Sequence, residues 1–123
     1  MDKAQAIHQF WSSFGLTAYD ENTVPENAEM PYITYAVSTG AIDDILMLTG
    51  SLWYRSPSWR DVSIKADEIA QAVGANGYRI AKVDNGYLWI NQGSPFSQRM
   101  ADPSDDMVRR IYLIFSAEFL TPY

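Results

Sequence analysis

MVRRIYLIFSAEF, the stretch Met107–Phe119, alternates between two sets of side chains along its length. The first set is apolar and consists of Ile111, Leu113, Phe115, Ala117 and Phe119. The second set is mixed and consists of Arg110, Tyr112, Ile114, Ser116 and Glu118. Because successive side chains of an extended chain point to opposite faces, this period of two predicts one long β-strand with a buried face and an exposed face.

The segment before this strand predicts a β-hairpin. Two extended runs, Gly77–Val83 and Tyr87–Gln92, flank Asp84-Asn85-Gly86, and Asn and Gly tolerate the positive φ that tight hairpin turns require. The polar segment Gly93–Asp106 is then expected to be a long loop that leads into the last strand.

Two helices are predicted in the first part of the chain. The first covers Asp2–Phe14, where apolar residues recur at helical spacing and where Asp2 and Gln5 have the spacing of a capping box. The second covers Ser58–Val73, with Gly74 placed to end it. Each helix has one apolar stripe, so we expect each to pack against a shared core.

Two further strands are predicted between the helices. They cover Tyr32–Thr39 and Ile45–Arg55, and Gly50 is expected to mark a bulge in the second of them. The polar segment Leu16–Pro31 is expected to be an exposed loop. The order α-β-β-α-β-β-β predicts a single α+β domain over residues 1–123, with both helices on one face of a mainly antiparallel sheet.

The composition of the chain limits its functional class. Its 123 residues suit one domain, and the absence of cysteine excludes disulfides and cysteine-ligated metal sites. Nine basic and fifteen acidic residues give a net charge of −6, whereas proteins that grip nucleic acid usually carry an excess of Lys and Arg. There is no signal-peptide pattern and no apolar run near the ~20 residues of a membrane span, so we expect a soluble protein that binds no membrane.

The side chains that could carry chemistry form no recognisable catalytic or metal-binding motif. His8 is the only histidine, and no serine-histidine-acid spacing accompanies it. The acidic segment Asp102–Asp106 lacks the central glycine and closing glutamate of a calcium loop. Gly74–Gly77 follows a helix and lacks the lysine of a phosphate loop. We therefore predict that the protein is not an enzyme and holds no metal or cofactor.

Large side chains outside the predicted core are candidates for a protein interface, because Trp, Phe, Met and Arg are enriched in interface cores. The candidates are Trp53, Trp59, Trp89, Phe96, Arg99 and Met100. Trp11 is assigned to the core. Phe96, Arg99 and Met100 are expected to lie together on the loop Gly93–Asp106. A second interpretation of Phe96, in which its ring folds back onto its own sheet, is equally compatible with the sequence.

The order of elements and several local phrases resemble the tail-terminator, or tail-completion, proteins of long-tailed bacteriophages. The resemblance covers most of the chain. The segments that carry it are Val24-Pro25, Met30–Tyr35, Trp53–Ser56, Ala66–Ile69, Gly86–Ile90 and Arg109–Phe119. It implies an α/β fold in which helices pack on a sheet, and it implies no catalytic residue.

The resemblance also implies a function in virus assembly. Proteins of this family form a six-membered ring on the head-proximal end of the tail tube, stop further addition of tube protein and offer a surface to the neck. The expected partners are other copies of the chain in a hexameric ring, the tail tube protein and a head-completion or connector protein. DNA is expected to pass through the ring without specific binding. The expected location is the virion, after assembly in the cytoplasm of the bacterial host.

A ring of this kind joins two different patches of neighbouring subunits. The loops Leu16–Met30 and Gly93–Asp106 are expected to contact neighbours or the tube. Two other interpretations are open: a head-to-tail connector or other minor virion protein, and a small-ligand-binding domain whose aromatic residues line a pocket. An enzyme with a dispersed site has the least support.

Overall fold

Two helices and six strands form an α+β architecture in the described part of the chain. The computed structural model describes residues 1–74 and 79–123. In chain order the elements are α1 (Lys3–Ser12), β1 (Ala18–Asp20), β2 (Tyr32–Tyr35), β3 (Leu46–Arg55), α2 (Arg60–Gly74), β4 (Arg79–Val83), β5 (Gly86–Met100) and β6 (Val108–Leu120). The α+β class is confirmed, whereas the predicted order lacks β1. The predicted strand start at Gly77 and most of Gly74–Gly77 lie outside the described residues.

Strand β6 lies in the middle of the sheet, whose strand order is β1-β2-β3-β6-β5-β4. It pairs antiparallel with β3 from Leu46↔Ala117 to Arg55↔Val108, and with β5 on its other side. β1 and β2 run parallel, and the other neighbouring strands of the described sheet run antiparallel. The alternating segment is thus the centre of the sheet, with a partner strand along each of its edges.

The side chains of β6 divide as their alternation predicts. The apolar set is buried, with at most 4% of each residue exposed. At the centre of this face, the Phe115 ring lies 5.1 Å from that of Phe10 and 5.4 Å from that of Trp11, both on α1. The buried side of α2, including Val62 and Ile69, belongs to the same hydrophobic core. Both helices therefore pack on one face of the sheet.

Gly50 has a packing role in β3, and the predicted bulge is wrong. The residue stays in register, opposite Tyr35 of β2 and Leu113 of β6. A Cβ atom at this position would lie 2.8 Å from the indole of Trp11. The missing side chain therefore lets the fully buried Trp11 ring lie directly on the sheet. A glycine within a strand marks either a bulge or such a close approach, and the sequence does not distinguish the two.

The segment Leu16–Pro31 contains a strand, which corrects the prediction of a continuous loop. This strand, β1, has three residues and pairs parallel with β2 through Ala18↔Ile33 and Asp20↔Tyr35. Three residues are too few to show a period, so the sequence gives no sign of it. β2 also ends earlier than predicted, at Tyr35.

The predicted loop Gly93–Asp106 is mostly strand. β5 continues to Met100, and its pairing with β6 shifts between Gln92 and Ser97. Pro95 lies within this bulge, where the ladder of hydrogen bonds is interrupted and the missing N–H of proline is tolerated. The connection that remains before β6 is the short segment of residues 101–107.

The hairpin turn and the cap of the first helix form where the sequence predicts them. Val83 pairs with Gly86 across the turn, and Asn85 has a φ of +66°. Asp2 accepts a hydrogen bond from the backbone N–H of Gln5, whose side chain accepts one from the backbone N–H of Asp2. This reciprocal capping box fixes the start of α1.

Candidate interaction surface

Neither described helix covers the second face of the sheet, which we call the bare face. It carries the residues of β6 that point away from the core and their neighbours in register on the adjoining strands. Its aromatic side chains are Tyr19, Tyr32, Trp53, Tyr87, Trp89 and Tyr112. A sheet face that meets water is normally polar, so this many aromatic rings indicate a different role.

One end of the bare face, which we call the arginine end, carries stacked side chains. The Tyr32 ring lies 6.3 Å from that of Trp53. The guanidinium of Arg110 lies over the Trp53 ring at 4.7 Å, and its Nε donates a hydrogen bond to Ser51 at 3.0 Å. The indole N–H of Trp53 donates to Thr34 at 2.8 Å. These contacts fix the relative positions of Trp53 and Arg110.

The opposite end of the bare face, which we call the glutamate end, carries exposed apolar side chains near Glu118. Ile80 is 52% exposed and Met47 63% exposed. Tyr87 and Trp89 are 49% and 37% exposed. Register places Trp89 between Ile80 and Glu118 on neighbouring strands, so these side chains are in contact range. Contiguous apolar surface of this kind is typical of a contact site.

On the helix side of the sheet, a tryptophan lies between two arginines. The ring of Trp59, directly before α2, is 5.0 Å from the guanidinium of Arg99 and 5.3 Å from that of Arg109. Arg109 also donates a hydrogen bond to the Pro57 carbonyl at 3.0 Å. This arrangement connects the end of β5 and the start of β6 to the start of α2.

The six predicted interface residues therefore divide between the two sides of the sheet. Those on the bare face are Trp53, Trp89 and Met100. Those on the helix side are Trp59, Phe96 and Arg99. The Phe96 ring lies 5.2 Å from that of Phe115, which supports the interpretation that it folds back onto its own sheet. The predicted loop cluster of Phe96, Arg99 and Met100 is wrong, because these residues lie in a strand and face opposite ways.

A hydrogen-bonded chain on α1 is missed by the sequence analysis. His8 Nδ1 lies 2.7 Å from the Tyr35 hydroxyl, and His8 Nε2 lies 3.3 Å from the Ser12 hydroxyl. The Ser12 contact is longer than the about 2.6–3.2 Å of an activated nucleophile and its base. Burial, and then the charge of Asp20, raise the pKa of Tyr35. The i, i+4 spacing of His8 and Ser12 is visible in the sequence, but the distant partner Tyr35 is not.

The acidic segment Asp102–Asp106 is organised by its own hydrogen bonds. The Ser104 hydroxyl donates to Asp102 at 2.7 Å, and this bond lowers the pKa of Asp102. The backbone N–H of Met107 lowers the pKa of Asp105, and Arg55, at 2.7 Å, lowers it further. Across residues 1–74 and 79–123, no group of three or more metal-ligating side chains is placed to hold an ion.

A hollow of about 450 Å³ lies between the start of α1, the β4–β5 turn and Tyr123. Its charged side chains already have partners. Lys3 donates to carbonyl oxygens, Asp2 caps α1, and Asp84 binds the amino group of Met1 at 2.8 Å. The volume suits a small ligand, but these paired groups leave little to orient one.

Comparison of the sequence with protein-family models and with curated proteins finds no match. Within the described ranges, neither helix is long and apolar enough to cross a membrane.

Proposed function

We propose that the protein is a structural subunit of a bacteriophage virion. Copies of it form a hexameric ring at the head-proximal end of the tail tube, end tube elongation and provide the surface that joins the head. The α+β fold, with helices packed on a sheet, agrees with what the resemblance implies. The proposal includes no catalytic step.

The bare face is the observation that carries this proposal. Met47 and Ile80 lie on separate strands, and each is more than half exposed. Trp53 and Arg110, at the other end, are of the residue types that dominate protein contacts. Apolar area exposed to water is unfavourable, and contact with a second protein removes it from water. A chain whose most distinctive surface is built for contact is suited to assembly.

Two irregular segments at the arginine end supply further contacts in this proposal. Residues 21–31 lead into β2 and residues 101–107 lead into β6, and both strands begin at this end of the sheet. They are what remains of the predicted contact loops Leu16–Met30 and Gly93–Asp106. We propose that they contact a neighbouring subunit or the tube, whereas Phe96 acts within its own core.

Charge supports a passage for DNA. The chain carries a net charge of −6, and a negatively charged surface repels phosphates. A ring of such subunits lets DNA pass without binding it, since tight binding to DNA depends on phosphate contacts from Lys and Arg.

Electron microscopy of purified tail tubes mixed with the protein tests the proposal, with light scattering on the protein alone. Wild type is expected to form rings, to cap one tube end and to block further addition of tube protein. The double variant Met47→Glu/Ile80→Glu places two carboxylates on the bare face and is expected to lose capping while staying folded.

The control is Ile64→Glu, which adds one carboxylate at an apolar residue that is 46% exposed on α2, and the single variants Met47→Glu and Ile80→Glu are its matched counterparts on the bare face. Ile64→Glu is expected to cap like wild type. Tubes that elongate equally with and without the protein would contradict the proposal. If wild type and the bare-face variant cap tubes equally well, the bare face is not the surface that binds the tube.

A head-to-tail connector or other minor virion protein is the nearest alternative, since it needs the same kind of contact surface. The same preparations separate the two functions. A connector binds purified heads and ignores isolated tube ends, whereas a terminator binds tube ends first.

A small-ligand-binding domain is the alternative from another class, and the 450 Å³ hollow beside α1 is the observation that favours it. A ligand held there would stabilise the monomer, with a melting temperature that rises with ligand concentration. A screen of small polar and aromatic compounds by thermal melting measures this directly.

A further inference from the structure

The central strand β6 carries one charged side chain at each end of the bare face. Arg110 belongs to the arginine end and Glu118, eight residues further on, to the glutamate end. At about 3.3 Å per residue, about 26 Å separate the two, so they cannot pair within one molecule. Among the described residues, neither forms an ion pair, whereas Arg55 of the same face binds Asp105.

Arg110 is fixed in an orientation that suits a carboxylate. Its guanidinium carbon lies 4.7 Å from the centre of the Trp53 ring, and its Nε donates a hydrogen bond to Ser51, so two contacts restrict the side chain. The Tyr112 ring lies further away, at 6.0 Å, and the bond to Ser51 uses only the Nε–H, so the two Nη groups are left to donate. An arginine held in this way loses little side-chain freedom when it binds a carboxylate through two parallel hydrogen bonds.

Glu118 is the corresponding acceptor at the other end. It lies opposite Trp89 in register, and the backbone N–H of Asp43 donates to it at 3.4 Å. That bond is long, and a carboxylate can accept several, so most of its capacity is unused. Each end of the bare face thus combines one tryptophan with one charge, and the two charges are opposite.

We propose that two copies of the chain pair through their bare faces, related by a two-fold axis near Ile114. Ile114 is midway between Arg110 and Glu118. An axis there places the arginine end of each copy against the glutamate end of the other, so the Arg110–Glu118 contact forms twice per dimer. Sheets that pack face to face lie about 10 Å apart with nearly aligned strands, which permits this arrangement.

The area of the bare face fits a stable dimer. With strands about 4.8 Å apart and about 3.3 Å per residue, strands β2 to β6 present roughly 700 Å² on one face. A standard protein interface buries about 800 Å² per partner. Its aromatic, Met and Arg side chains are also those enriched in interface cores.

This pairing goes beyond the ring of the proposed function. A contact related by a two-fold axis closes after two copies, whereas a ring joins two different patches. The pairing covers the bare face with a second copy when no tail tube is present.

Sedimentation velocity over a concentration series, without tail tubes, tests the pairing. Wild type is expected to sediment as a dimer, or as two rings with twice the mass of a single ring. Arg110→Glu and Glu118→Arg are each expected to halve its mass, because like charges then meet at both contacts. Mixing the two variants, or combining both changes in one chain, is expected to restore it, because opposite charges meet again.

Matched controls are Arg60→Glu and Asp67→Arg, which reverse exposed charges on α2, on the helix side. They are expected to leave the mass unchanged, and circular dichroism checks that each variant folds. If a charge reversal unfolds the chain, Arg110→Gln and Glu118→Gln remove the charge only, and each is expected to weaken pairing by about tenfold or more.

The pairing is overturned if wild type has the same mass as folded Arg110→Glu, or if the folded double reversal stays dissociated. Loss of mass in the α2 controls to the same extent also overturns it. Wild type that pairs but does not cap tubes keeps this inference and removes the proposed function. Wild type that caps tubes without pairing overturns this inference and keeps the proposed function.

Discussion

The helix side and the bare face of the sheet are built by the same strands, yet they are completed differently. On the helix side, Phe115 contacts two rings of α1, and Gly50 lacks a side chain so that Trp11 can lie on the sheet. On the bare face, Met47 and Ile80 remain more than half exposed. Alternation along a strand therefore separates a face that the two helices cover from a face that neither described helix covers.

The largest difference is expected between neighbouring residues of β6. Phe115→Ala should lower the free energy of unfolding by about 3–5 kcal/mol, because it opens a cavity among the rings of α1. Ile114→Ala, on the bare face, should lower it by about 1 kcal/mol. Denaturant titration of the monomer measures both, and equal losses would mean that the two faces are equally packed.

Gly50→Ala tests the close approach of Trp11 to the sheet. The added Cβ would lie 2.8 Å from the indole, so the ring or the strand must move, at about 1–3 kcal/mol. Thr49→Ala, which alters the bare face one residue earlier, should change stability by about 0.5 kcal/mol or less. A Gly50→Ala variant as stable as wild type would show that Trp11 has room to shift.

Asp2→Ala tests how firmly the helix layer is attached at its start. Loss of the Asp2 carboxylate should lower the free energy of unfolding by about 1 kcal/mol, since the backbone N–H of Gln5 loses its acceptor. Gln9→Ala, an exposed position within the same helix, is the control and should have no such effect. Thermal melts of wild type, Asp2→Ala and Gln9→Ala measure the difference. Equal melting temperatures of the two variants would contradict the prediction.

Tyr35 is expected to make the helix side sensitive to alkaline pH. Its pKa is raised, chiefly by burial and then by the charge of Asp20. Its contribution to stability is therefore complete below the ordinary pKa of about 10 and is lost as pH rises through the folded-state pKa. Unfolding measured at increasing pH should show a decline that Tyr35→Phe reduces. The same decline in both proteins would assign it to other groups.

The smallest effect on folding is expected on the bare face itself. Met47→Ser/Ile80→Ser should change the stability of the monomer by about 0.5 kcal/mol or less, because both side chains are already largely in water. In samples dilute enough to be monomeric, binding of a dye that reports exposed apolar surface should fall. A large loss of stability would mean that these side chains pack within their own molecule.

The sequence predicts the elements whose pattern repeats over many residues. β6 and α1 lie within one or two residues of their predicted bounds, because their alternation or stripe extends through the whole element. β1 is missed because three residues have no period. The second half of β5 is missed because the bulge around Pro95 breaks the alternation and gives it the composition of a loop.

The sequence predicts which residue types form the candidate surface, but it does not predict which side of the sheet each residue faces. Trp53, Trp89 and Met100 do lie on the bare face, but Phe96 and Arg99 lie on the other side. The side that a residue faces beyond a bulge depends on the register shift, which composition does not reveal. The contact between His8 and Tyr35 joins residues far apart in the chain, so no local pattern reports it.

The central position of β6 has a consequence for biosynthesis. This strand follows the other five in chain order, yet β3 and β5 meet only through it. While the ribosome is still adding residue 107, the two halves of the sheet have no strand to join them, and Phe115 has not yet entered the core. The bare face is therefore a continuous surface only after β6, the last of the described strands, is in place.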